Sequence, residues 1–127
     1  MEVTATCRER VLELQLKGEL DHHGARGLLT KLEREIEATL PAELVLDFSG
    51  VTFMDSSGIA VLLRAQRSVQ NLGGSVIVCR VPRQAKRVMD AAGIGRLMTI
   101  QAGGTDDDRE CKNIFRRSAG TARDDRK

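Results

Sequence analysis

Apolar residues recur along this chain with two different periods, and the period changes where the chain changes element. Val3 to Arg8 and Val11 to Lys17 predict two strands, the second setting Val11, Leu12, Leu14 and Leu16 against Glu13, Gln15 and Lys17 with a period of two. The period then lengthens. Ala25, Leu28, Leu29, Leu32, Ile36 and Leu40 recur at spacings of three and four, while Lys31, Glu33, Arg34, Glu35 and Glu37 fill the other side. This predicts a helix over about 22–39, with Asp21 as N-cap and Pro41 as its end.

Leu44-Val45-Leu46 with Phe48, and Val76 to Cys79, are short unbroken apolar runs of the kind that parallel strands show when both faces are covered. A helix is predicted after each. One covers about 57–72, with Leu62, Ala65, Val69 and Leu72 as its buried stripe and Gly73-Gly74 as its stop. The other covers about 83–92, with Ala85, Val88, Met89 and Ala92 inward, Pro82 before it and Gly93 after it. A last strand over 98–101 and a last helix over 106–117, capped by Thr105 and carrying Cys111, Ile114 and Phe115 on one side, complete the pattern. The predicted class is α/β, a small mixed sheet of about five strands flanked by about four helices, in one domain over 1–118. The residues from 119 to 127 have no apolar period and are expected to form a disordered tail.

Composition narrows what such a domain can do. The formal net charge of +2 arises from 20 basic and 18 acidic residues, which leaves no field for gripping a polyanion, and three Phe without Trp or Tyr make no base-stacking platform. Nucleic acid is excluded as the main ligand. Cys7, Cys79 and Cys111 lie far apart in odd number with no CxxC pair, so neither a disulfide framework nor a zinc site is indicated and reduced thiols are expected. The start Met-Glu-Val-Thr has no basic and apolar leader, and the longest apolar run, Ile59 to Leu63, is too short to cross a bilayer. A soluble, cytoplasmic protein without membrane contact is expected.

The segment richest in chemistry is Phe53-Met54-Asp55-Ser56-Ser57-Gly58, where a buried strand gives way to a helix. By itself Asp-Ser-Ser-Gly is an ordinary way to leave a strand, with Asp55 or Ser56 capping the helix. The N–H groups of a helix start also accept an anion, so a phosphoryl group on Ser56 could be held there. A serine nucleophile is the weaker reading, because Gly-x-Ser-x-Gly is absent and nothing pairs His22 or His23 with Ser56. Asp21-His22-His23 matches the name of a phosphoesterase motif, but the further Asp and His ligands which that metal chemistry needs are missing. Arg80, Arg83, Lys86, Arg87 and Arg96 gather around the third helix against Asp90 alone, a solvated face by default and a docking patch for an acidic partner otherwise.

Taken together, Gly18-Glu19-Leu20-Asp21-His22-His23, Phe53 to Gly58, Gly73-Gly74, Val78-Cys79 and Ala85-Lys86-Arg87 give a chain that resembles the STAS-domain anti-sigma factor antagonists of bacteria, those of sporulation above all. The resemblance implies the STAS fold and a phosphorylated serine directly after the Asp, here Ser56. It implies a partner that is both an anti-sigma factor and an ATP-dependent serine kinase, whose capture frees the sigma factor, and a metal-dependent serine phosphatase that resets the switch. It implies no cofactor and no catalysis for this chain. Asp21, Asp55, Ser56, Ser57, Gly58 and Ile59 are the partner-binding residues it implies, Asp21 being equally readable as a cap alone. Ile59-Ala60 departs from the pattern, where a second glycine often follows. The alternative is a STAS scaffold in a serine phosphorelay unrelated to sigma factors.

Overall fold

The computed structural model describes residues 1–102. Chain order is β1 (Glu2–Arg8), β2 (Val11–Leu20), α1 (His22–Thr39), β3 (Glu43–Met54), α2 (Ser56–Asn71), β4 (Ser75–Val81), α3 (Arg83–Ala92), a 3-10 turn (Ile94–Arg96) and β5 (Thr99–Ala102). The helix expected over 106–117 and the tail expected beyond it lie outside the described residues.

The five strands lie in the order β1-β2-β3-β4-β5, with β1 antiparallel to β2 and every later pair parallel. Because that order never reverses, right-handed crossovers carry α1, α2 and α3 to the same side of the sheet. Leu12, Leu14 and Leu16 of β2, Leu44, Leu46 and Phe48 of β3, and Val76 and Val78 of β4 meet Leu28, Leu32, Ile36, Val61, Leu62, Ala65, Val69, Ala85 and Met89 there in one continuous core. With all helices on one face, no crevice opens between helices of opposite faces. The strand ends therefore present a surface rather than a cleft.

The other face of the sheet is mixed. Val11, Val45 and Cys79 form a small buried apolar cluster on it. Beside them Asp47, only 1% exposed, receives the Ser49 N–H at 2.9 Å and pairs with the guanidinium of Arg80. Arg80 takes positive φ, +55°, where the pairing of β4 with β5 shifts register. So Arg80 is not part of the basic group around α3: its charge is turned to the buried carboxylate.

Glu13 stands on this face too, and burial pushes its carboxyl pKa up, with the Asp47 charge adding to the rise and Arg80 opposing it. The raised pKa means that the folded state holds this proton more tightly than the unfolded chain. Glu13 is therefore most favourable to folding below its ordinary pKa, and that contribution is lost as pH rises through the folded value. Glu13→Gln is accordingly expected to raise the unfolding midpoint at pH 7 and to leave it unchanged near pH 4, as read by thermal melts across pH. A neutral-pH melt that falls would contradict the assignment.

Several boundaries differ from those the pattern predicts. β3 runs on to Met54, past the apolar run that stops at Phe48, since its pairing with β2 continues through Gly50, Val51 and Phe53. Leu40 and Leu72, placed on buried stripes by their spacing, stand 54% and 38% exposed just past the ends of α1 and α2, and Ala92 is also exposed. Cys7 is a free thiol, but Cys79 is disulfide-bonded, which corrects the expectation of reduced thiols throughout. Among the described residues, no helix is long and apolar enough to cross a membrane.

Candidate functional site

β2 and β3 end level with each other, Leu20 opposite Met54, so the residues that follow, Asp21 and Asp55, leave the sheet side by side. The Asp55 N–H donates to the Leu20 carbonyl at 3.3 Å and ties the two exits together. Each aspartate then caps a helix, Asp21 through the N–H three residues on and Asp55 through the N–H two residues on. Asp21 Oδ1 accepts from the Gly24 N–H at 2.8 Å, and Asp55 Oδ1 accepts from the Ser57 N–H at 2.8 Å. The carboxylates meet the orphan donors of α1 and α2 where a helix start is partially positive. The Gly24 N–H holds the Asp21 pKa below the usual carboxylate range.

Both helices carry glycine three positions after the cap, Gly24 against backbone and Gly58 against side chains. A Cβ on Gly24 would lie 2.2 Å from the Glu19 carbonyl oxygen, and one on Gly58 would lie 2.9 Å from both Leu20 Cδ2 and Met54 Cε. Asp-x-x-Gly thus lets each helix start sit hard against the strand ends. What projects from this surface is the pair of residues between cap and glycine: His22 and His23 on α1, Ser56 and Ser57 on α2.

Ser56 is the first residue of α2, one earlier than the spacing predicts, and the cap is the Asp55 side chain rather than a serine hydroxyl. Its side chain is left free of capping duty and exposed, whereas Ser57 is half-buried and its N–H is taken by Asp55. Gly58 is buried beneath, Ile59 is half-buried, and Phe53 stands 40% exposed on the approach. The structure therefore brings Asp21, Asp55, Ser56, Ser57, Gly58 and Ile59 to one end of the sheet.

Gln84 was not visible in the sequence as part of this corner. From the first turn of α3 its Nε2 donates to the Met54 carbonyl at 2.8 Å and its Oε1 accepts from the Met54 N–H at 2.8 Å. One side-chain amide thus closes both backbone groups of the last β3 residue and fixes the angle at which Asp55 and Ser56 emerge. Gln84→Ala is expected to cost about 1–2 kcal/mol in denaturant unfolding, and Gln84→Glu, which sets an acceptor oxygen against the Met54 carbonyl, at least as much. Equal stability of all three proteins would contradict a role for this clamp.

Of the cations around α3, Lys86 pairs with Asp90 at 2.9 Å, which leaves Arg83 and Arg87 exposed on that helix. Arg87 shares a groove with Ser56, floored by Ile59, Val88, Ala91 and Ala92. A larger groove on the far face of the sheet runs from Thr4, Gln15 and Lys17 to Ser49 and Arg80, away from this surface.

The sequence pattern of the STAS domain family matches residues 2–104. An anti-sigma F factor antagonist of Paenibacillus polymyxa is 33% identical over 90 residues, which cover 71% of this chain and 77% of that protein. Among solved structures, the anti-sigma factor antagonist SpoIIAA in its unphosphorylated form superposes with a TM-score of 0.71 at 22% identity, covering 89% of this chain and 96% of the other. The Bacillus cell fate determinant SpoIIAA in its phosphorylated form superposes with a TM-score of 0.65 at 22% identity, covering 87% and 98%. The five-stranded sheet, the helix starts at its strand ends and these likenesses agree, and the chain belongs to the STAS-domain family.

Proposed function

We propose that this chain is an anti-sigma factor antagonist: it binds an anti-sigma factor that is also an ATP-dependent serine kinase, frees the sigma factor, and is switched off by phosphorylation of Ser56. The observation that carries the reading is the exposure of the Ser56 hydroxyl at a helix start whose cap is supplied by its neighbour. The corner keeps its shape when that oxygen is modified. The relative from Paenibacillus, an anti-sigma F factor antagonist, supports the partner class.

In this mechanism the chain contributes a surface and an acceptor. Asp21, Asp55, Ser57, Gly58 and Ile59 dock the partner around Ser56, with 1–118 as the folded unit. Ser56 Oγ attacks the γ-phosphorus of the kinase's ATP, the bond from that phosphorus to the β–γ bridging oxygen breaks, ADP leaves, and the hydroxyl proton passes to a base on the kinase. A metal-dependent phosphatase returns the hydroxyl. ATP and metal belong to the partners, and no catalytic group is assigned to this chain.

Ser56→Ala tests the assignment. The variant is expected to bind the kinase as the parent does, to take up no phosphate, and to stay bound when ATP is added, by sedimentation and phosphate mass mapping. Phosphate on Ser57 of that variant would overturn the assignment of the residue.

A further inference from the structure

The groove of about 460 Å³ between the start of α2 and the outer side of α3 has Ser56 and Arg87 on its walls, and the residues between them are Ile59, Val88, Ala91 and Ala92. Apart from those two side chains, its lining is apolar. Lys86, the neighbouring cation, is held by Asp90, while Arg87 makes no hydrogen bond or ion pair among the described residues. Arg87 thus lines the same apolar groove as the serine that the proposed function has phosphorylated.

Resting on that reading of Ser56, we infer that Arg87 is the internal counter-cation of the phosphorylated form, its guanidinium pairing with the phosphoryl oxygens on Ser56 across the groove. A phosphoserine carries about −1.5 to −2 charges at neutral pH, and the planar guanidinium fork suits phosphate oxygens. Asp55 cannot offset that charge; it adds to it, with its carboxylate fixed on the Ser57 N–H. Arg87 alone among the groove residues carries a positive charge. The pair has two consequences. It relieves the repulsion within the chain, so the fold tolerates the modification, and it bridges the groove, so Ile59, Val88, Ala91 and Ala92 are screened from a partner. The off state is then a masked surface as well as a charged one.

The test needs no kinase: phosphoserine is placed at position 56 during translation, and the full chain is compared with its unmodified form. The Nε–H signal of Arg87, identified by its absence in Arg87→Gln, is expected to move on phosphorylation while that of Arg83 stays in place. The drop in melting temperature caused by the phosphate is expected to be about 3 °C larger in Arg87→Gln than in the parent, and unchanged in Arg83→Gln. An Arg87 signal that does not respond to the phosphate, or an Arg83→Gln effect equal to that of Arg87→Gln, would overturn the pairing. A chain whose own kinase leaves Ser56 unmodified would sink the functional reading and leave this result standing.

Discussion

Ser56→Asp is expected to weaken binding to the anti-sigma kinase at least about 100-fold while leaving the melting temperature nearly unchanged. The expectation follows from where the charge would sit. Ser56 is exposed and free of capping hydrogen bonds, so a carboxylate there costs the free chain little. In a complex the same position is desolvated beside Asp55, and burying a second negative charge to which the partner brings no cation costs several kcal/mol, of which about 2.7 suffices for a hundredfold loss. Titration calorimetry with the unmodified partner reads the affinity. Binding within about threefold of the parent, with the variant folded, would contradict the placement of Ser56 in the interface.

Asp47→Ala is expected to have the largest effect on stability, about 3 kcal/mol, although it lies on the far face of the sheet from the docking surface. Asp47 is 1% exposed and Arg80 only partly so, its side chain 18% exposed. Removing the carboxylate takes the Asp47 charge away from a guanidinium that water reaches poorly, and it also removes the acceptor for the Ser49 N–H. Some of the loss is returned by Glu13, whose carboxyl already feels the Arg80 charge. Asp47→Asn, which keeps an acceptor for Ser49, should lose less. Urea unfolding with an unchanged slope would report the difference, and a loss below about 1 kcal/mol would contradict the account of the pair.

These two residues also mark what a reader of the sequence can and cannot see. Asp55-Ser56-Ser57-Gly58 is legible because capping chemistry is local: an Asp followed by small residues and an apolar period announces a strand exit whatever the rest of the chain does. Even so, Asp and Ser are equivalent caps on paper, and only the structure gives the role to Asp55 and shifts the helix start to Ser56. α1 is read nearly to the residue because its stripe holds strict three and four spacing between Asp21 and Pro41. The far half of β3 is fainter in the pattern because Ser49, Gly50 and Thr52 break the apolar run, while the ladder that carries the strand onward belongs to β2.

Gln84 and Arg80 are hidden for a different reason. Each meets its partner across 30 or more residues of chain, and a polar residue on a short helix or at a strand end reads as solvent-facing when the partner is not in view. Asp47 did carry a signal, since a charge inside the run Leu44 to Phe48 demands a counter-charge. The cluster of five basic residues looked like one patch; the structure assigns Arg80 to the far face and Lys86 to Asp90. What remains beside Ser56 is Arg87 with an apolar floor.

One comparison tests the role of Ser56 most directly: the affinity of this chain for its anti-sigma kinase before and after complete phosphorylation by that kinase, with the modified residue mapped by mass spectrometry. A single phosphate on Ser56 and an affinity lowered by at least about 100-fold is the predicted result. A phosphorylated chain that binds as tightly as before, or a phosphate absent from Ser56, would contradict it.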